Sequence, residues 1–154
     1  MTKQQLAQQI EYEFDQLRRS AETASELAAV APEARRPWDA AAAAKYIADL
    51  IAGLENLCKR RCRYLNLPIP AGPESHTQIL NDFLDVPELG GTLSKDFCLV
   101  LKKYLRFRHR FIHGYGYEVR WEVVDEPLRL LGETVEQLAQ AWNRWLDSLP
   151  DDES

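Results

Sequence analysis

Between residues 107 and 119 the chain reads FRHRFIHGYGYEV, and four of these side chains have types and spacing that could do chemistry. Arg108 is followed at once by His109, then by His113 five residues on and Tyr115 two beyond that. An imidazole exchanges a proton near neutral pH, so His113 can take one from a ribose 2′-hydroxyl or return one to a leaving 5′-oxygen. A guanidinium such as that of Arg108 can hold a phosphate bidentately and stabilise the charge growing on its oxygens. These groups suffice for metal-independent cleavage of RNA by internal attack. DNA, which lacks the 2′-hydroxyl nucleophile, would be spared.

The elements that must position these residues follow from apolar spacing. Residues 4 to 29 read as a helix, with Leu6, Ile10, Phe14, Leu17 and Ala21 at three- and four-residue steps. After APEARRPW, Asp39 is the expected N-cap of a second long helix whose stripe is Ile47, Leu50, Ile51, Leu54, Leu57, Cys58 and Leu65. LPIPAGP closes it, and a short helix is expected over residues 76 to 85. Ser94 then caps a helix running to about His113, where Gly114 can end it. GYGYEVRWEVVDEP reads as irregular with a short extended piece, and Pro127 suits the first turn of a last helix carrying Leu128, Leu131, Val135, Leu138, Trp142, Trp145 and Leu149. The expected fold is all-α, an antiparallel bundle of four to five helices over about residues 4 to 149, within one domain spanning 1 to 154 and ending in an acidic tail at 150 to 154.

On a helical wheel, Phe97, Val100, Leu101, Tyr104, Leu105, Phe111 and Ile112 share one broad face, and Arg108 lies near its middle. Lys102, Lys103, Arg106 and Arg110 take the other side, as a solvated face or a set of phosphate contacts would. A guanidinium on the apolar stripe needs a partner or a wet cleft, because burying it unpaired costs several kcal/mol. Glu13, on the apolar face of the first helix, is one possible partner, which would make Arg108 structural. His113 stands about 140° from Arg108 round the wheel, so within one chain the two diverge. If this helix packs on its symmetry mate, Arg108 and His113 from two chains line one shared cleft. The ordinary alternatives are a histidine stabilising a helix C-terminus and tyrosines, Tyr115 and Tyr117, plugging the end of a bundle. Trp38, Trp121, Trp142 and Trp145 are expected in the core or at a dimer interface, and Arg61 is a further candidate for a buried pair.

Nineteen basic against 24 acidic residues give a formal charge of −5, so any contact with RNA must use a local basic patch. Three cysteines and no charged-then-apolar leader point to a reduced, cytoplasmic setting. The longest apolar-rich run, WDAAAAAKYIADLIAGL, is interrupted by Lys45 and Asp49, which argues against a membrane span. Cys58 and Cys62 are four residues apart, but no second ligand pair has suitable spacing; neither a metal nor a cofactor is expected.

The stretch RHRFIHGY resembles the signature of the HEPN superfamily, an arginine followed by a polar residue and, a few positions on, a histidine. More narrowly, Arg108, His109, His113 and Tyr115 resemble the arginine, polar residue, histidine and tyrosine of HepT-like toxins. The resemblance implies an all-α HEPN-like fold and a homodimer with a composite endoribonuclease site, in which Arg108 and His113 are catalytic and His109 and Tyr115 support them. It also implies a toxin-antitoxin partnership with a small nucleotidyltransferase antitoxin of the MntA type, able to silence the toxin by AMPylation of the motif tyrosine, here Tyr115. HepT-like chains most often carry asparagine where this one has His109, and the extra length of this chain falls in LPIPAGPESHTQILNDFLDVPELGG. The alternative is a non-catalytic HEPN-like module that binds RNA or a nucleotide, or that dimerises only.

Overall fold

In the computed structural model, which describes residues 1–152, the first helix opens on a reciprocal cap. The Thr2 hydroxyl accepts the Gln5 amide at 3.1 Å while the Gln5 side chain accepts the Thr2 amide at 2.9 Å, starting α1 (Lys3–Ala28). Asp152 returns to this end: its carboxylate accepts the amides of Lys3 and Gln4 at 2.6 and 3.2 Å, placing negative charge at the helix N-terminus. The acidic tail is therefore tied to the bundle as far as Asp152, while Glu153 and Ser154 lie outside the described residues.

The second helix, α2 (Asp39–Leu65), is the centre of the fold and packs against α1 and every later helix. Its N-cap is Trp38 and not Asp39, whose carboxylate accepts the Arg36 amide at 2.7 Å and so serves the turn before the helix. Its end is set by Asn66 at φ 56°, a left-handed position that asparagine tolerates. Gly53 lets α1 come close, since a Cβ there would stand 2.7 Å from Cδ2 of Leu17. Leu6, Ile10 and Phe14 of α1 and Ile47, Leu50, Ile51, Leu54 and Leu57 of α2 are all buried, as the stripes predict, whereas Leu65 lies past the core and is exposed.

The remaining helices are α3 (Ser75–Asp85), α4 (Lys95–His113), α5 (Trp121–Arg129) and α6 (Leu131–Asp147). The described residues form six α-helices joined by loops and short 3₁₀ turns, an all-α bundle in which four helices are long, as expected. Trp142 of α6 is fully buried and stacks on Phe83 of α3 with ring centroids 6.0 Å apart, which ties the short helix to the core.

The segment after α4 differs from the expectation. Residues read as irregular form α5, and Pro127 is its seventh residue, not a first-turn residue of the last helix. Lacking an N–H, Pro127 leaves the Val123 carbonyl without its helical donor, yet the Leu130 amide still bonds to the Glu126 carbonyl at 3.0 Å; α5 ends at Arg129 and α6 starts after Leu130. Val124 and Leu128 nevertheless keep helical spacing and are buried. No helix among the described residues is long and apolar enough to cross a membrane.

Candidate active site on the fourth helix

The start of α4 is capped as the sequence predicts, the Ser94 hydroxyl accepting the Phe97 amide at 3.1 Å. Phe97, Leu101 and Tyr104 are buried, and Leu105, Phe107 and Phe111 pack on the edge of the core. Ile112 continues the stripe of Leu101 and Leu105 but is 52% exposed, so the buried face of α4 runs on past the part of the bundle that covers it. The helix ends at His113. Gly114 follows in an extended conformation, where a Cβ would approach the Arg110 carbonyl oxygen at 3.1 Å.

Arg108 points from this stripe toward α2. Its Nη1 lies 3.8 Å from Oε1 of Glu55, a carboxylate only 6% exposed. The same carboxylate has a closer neighbour: Nδ1 of His76, on α3, stands 2.8 Å from both of its oxygens. The expected partner, Glu13, is occupied elsewhere, accepting from Nδ2 of Asn56 at 3.2 Å and from Nη2 of Arg60 at 3.5 Å. Glu13 thus meets α2 at Asn56 and Arg60, while Arg108 meets it at Glu55.

Glu55 and His76 were not among the residues that the sequence singled out. Glu55 had a signal, being a carboxylate set between Leu54 and Leu57 on the buried part of α2. The reasoning that marks Arg108 as a charge on an apolar face applies to it equally. His76 had none, because it joins the site only through the packing of α3 on α2.

His109, His113 and Tyr115 face another way. Together with Arg110 they line an open groove of about 480 Å³ floored by Phe107, Phe111 and Val123, which Arg108 does not line. The two imidazoles meet edge to face with centroids 4.5 Å apart, so His109 is exposed against His113 rather than at the margin of the core. Tyr115 is 70% exposed. Within one chain the structure thus unites His109, His113 and Tyr115 and keeps Arg108 apart, as the wheel predicts. The packing role expected of Tyr117 concerns a side chain outside those described.

Lys103, Arg106 and Arg110 line an adjoining groove of about 340 Å³ between α4 and α5, opposite Glu122 and Glu126, while Lys102 is simply exposed. Tyr104 lies at its base, donating its hydroxyl to the Pro127 carbonyl at 2.7 Å. Burial pushes the Tyr104 phenol up to about 12 and also raises the Cys58 thiol, which keeps both groups protonated. Among the described residues Arg61 forms no ion pair; its guanidinium lies 5.8 Å from the ring centroid of Trp145. Trp142 and Trp145 are core residues and Trp121 is half-buried beneath Arg35, but Trp38 is 65% exposed, contrary to a core role. Among the described residues no group of three or more His, Cys, Asp or Glu is arranged to hold a metal ion.

A family model described as HepT-like protein matches residues 42–149, which runs from the first turn of α2 to the end of the bundle and includes the whole candidate site. Comparison with curated proteins gives no match, and comparison with solved structures gives none.

Proposed function

The chain belongs to the HepT-like protein family, and from that premise we propose that it is the toxin of a toxin-antitoxin pair, an endoribonuclease that cuts RNA without a metal ion. The observation that carries this reading is the placement of Arg108. It sits on the stripe of α4 beside an uncovered Ile112, held by Glu55 at 3.8 Å, a distance longer than a hydrogen bond. A second copy of α4 laid on this face would bury Ile112 and bring its His113 toward Arg108, completing in the homodimer the pair that one chain keeps apart. Arg108 then binds the scissile phosphate, and His113 serves as acid or base, with His109 against its ring. Lys103, Arg106 and Arg110 offer the local positive charge that a chain of net charge −5 needs to hold RNA, and Lys102 adds to it.

Tyr115, exposed at the mouth of the same groove, is the acceptor through which a nucleotidyltransferase antitoxin would silence the site. Transfer of AMP from ATP would join the phenol oxygen to the α-phosphorus, release pyrophosphate, and fill the groove with a bulky anion. The second reading, a module that binds RNA without turnover, draws on the ion pair between Arg108 and Glu55, which gives the arginine a structural use. Purified protein incubated with RNA in EDTA separates them. The toxin reading expects cleavage that disappears in the double variant Arg108→Ala, His113→Ala; undiminished cleavage by that variant removes the site assignment, and binding without cleavage selects the second reading.

A further inference from the structure

Glu55 is the least exposed charged group near the motif, and it serves two partners on two different helices. A carboxylate offers acceptors only, so the ring nitrogen of His76 that faces it, Nδ1, is the one that carries hydrogen. In the neutral ring the lone pair then resides on Nε2, and the His76 side chain is 46% exposed. A carboxylate holding an imidazole in one tautomer and one orientation is an arrangement suited to proton transfer. The guanidinium of Arg108 approaches the same oxygen, Oε1, that His76 approaches, so a phosphate drawn to Arg108 would arrive beside an oriented imidazole of the same chain.

We propose that His76 is a catalytic proton carrier at the Arg108 side of the site, with Glu55 as the positioning residue for both; this rests on the RNA-cleavage reading above. With the phosphodiester held by Arg108, Nε2 of His76 takes the proton of the 2′-hydroxyl as that oxygen bonds to phosphorus. The bond from phosphorus to the 5′-oxygen breaks, its electron pair leaves with the oxygen, and a proton from the imidazolium of the second copy's His113 neutralises it. The products are a 2′,3′-cyclic phosphate and a 5′-hydroxyl, and proton exchange with water resets both rings. Among the described residues, the charged groups that meet His76 are Glu55 from α2 and, through it, Arg108 from α4. The long connection between α2 and α4 acquires a use, since α3 delivers a third histidine to a site otherwise built from α4.

The chain has three histidines, so their imidazole resonances can be assigned one by one through His76→Gln, His109→Asn and His113→Gln. Titration with an RNA oligonucleotide whose 2′-hydroxyls are methylated, and which cannot be cut, is expected to move the Nε2 resonance of His76. His76→Gln is expected to lower RNA cleavage by about a hundredfold or more at unchanged thermal stability and to remove one limb of the pH–rate profile. Glu55→Gln is expected to weaken the same limb. Wild-type cleavage in His76→Gln, alongside an inactive His113→Ala, overturns the inference and leaves the cleavage reading standing. A slower His76→Gln whose pH profile is unchanged, with a wild-type His76 resonance that ignores the oligonucleotide, also overturns it by making the role structural. Wild-type protein that cuts no RNA overturns the cleavage reading and this inference together.

Discussion

The imidazoles of His109 and His113 stand one turn apart on α4, with ring centroids 4.5 Å apart and planes inclined at 60°. Contact of this kind orients one ring with the other, and on the proposed function their tasks are unequal, because only His113 lies at the helix end, where the groove opens onto Tyr115. His113→Ala is expected to reduce RNA cleavage by roughly 10²- to 10⁴-fold, the usual worth of a general acid or base. His109→Asn, which restores the residue most common in HepT-like chains, is expected to stay within about tenfold of wild type, a barrier change of no more than about 1.4 kcal/mol. Initial rates on one RNA substrate decide this, and equal losses in the two variants would give His109 a proton-transfer role as well.

How far the sequence speaks for the site depends on the distance over which each residue makes its contacts. Helical spacing within α1, α2, α4 and α6 is a local property, and it locates their buried faces to within a few residues. Arg108 could be recognised as misplaced because its neighbours on the wheel are its neighbours in space. Its partner could not: Glu13 and Glu55 both lie on buried faces, and only the packing of α4 and α3 on α2 brings Arg108 and His76 to Glu55 and leaves Glu13 to Arg60. The helical character of α5 was hidden by brevity, since two glycines precede it and Pro127 interrupts a stripe that Val124, Leu128 and Leu131 otherwise sustain. The overhang of Ile112 was hidden for another reason, being a property of where the bundle stops and not of the helix itself.

The true partner of Glu13 gives a stability test independent of activity. Glu13 is buried and bonded to the exposed Asn56 and the half-buried Arg60, so Glu13→Ala leaves the Arg60 guanidinium without its acid while the Asn56 amide can turn to water. A loss of roughly 1 to 2 kcal/mol is expected by chemical denaturation. Arg18→Ala, which breaks the exposed pair with Glu136 at 2.7 Å, is expected to cost less than about 1 kcal/mol. RNA cleavage by folded Glu13→Ala is expected to match wild type, because Arg108 keeps Glu55; a selective loss of activity would show that Glu13 reaches the site after all.

Gly90 should tolerate no side chain. A Cβ there would lie 2.3 Å from the Leu84 Cα and 2.5 Å from the Phe83 carbonyl oxygen, both main-chain atoms that cannot turn aside. Gly90→Ala must therefore push the end of α3 away from the turn that follows it, at a cost of about 2 kcal/mol or more. Because α3 carries His76, the displacement should also loosen the contact with Glu55, visible as a change in the His76 resonance. Unchanged stability would mean that the turn and α3 shift together without strain.

Tyr104 predicts an alkaline loss of stability. Burial, the larger cause, raises its phenol to about 12, while the hydrogen bond to Thr134 acts in the opposite direction. The folded state thus holds this proton more tightly than the unfolded chain, whose tyrosine titrates near 10. The corresponding stabilisation is complete below about pH 10 and is lost as pH rises through 12, amounting to roughly 2 kcal/mol over that window. Tyr104→Phe removes this component together with the hydrogen bond to Pro127, so it should cost about 1 kcal/mol at neutral pH and show a shallower decline between pH 10 and 12. Parallel denaturation curves for the two proteins across that range would contradict it.

The last prediction concerns the uncovered end of α4. Ile112 follows Leu101 and Leu105 on the stripe, yet it is half exposed, and Arg108 lies one turn before it on the same side. A residue of this type on a core-facing stripe gains about 1.5 to 3 kcal/mol on full burial, and a two-fold contact would collect that gain in both copies. Ile112→Glu should leave the monomer folded, since the site is already solvated, but place two carboxylates against each other in a dimer. Sedimentation is expected to show dissociation of the variant at concentrations where wild type is dimeric. If His113 of each chain acts on phosphate held by Arg108 of the other, cleavage should fall in step with dimer content and recover as protein concentration is raised. An Ile112→Glu protein that is monomeric and fully active would place the whole reaction within one chain.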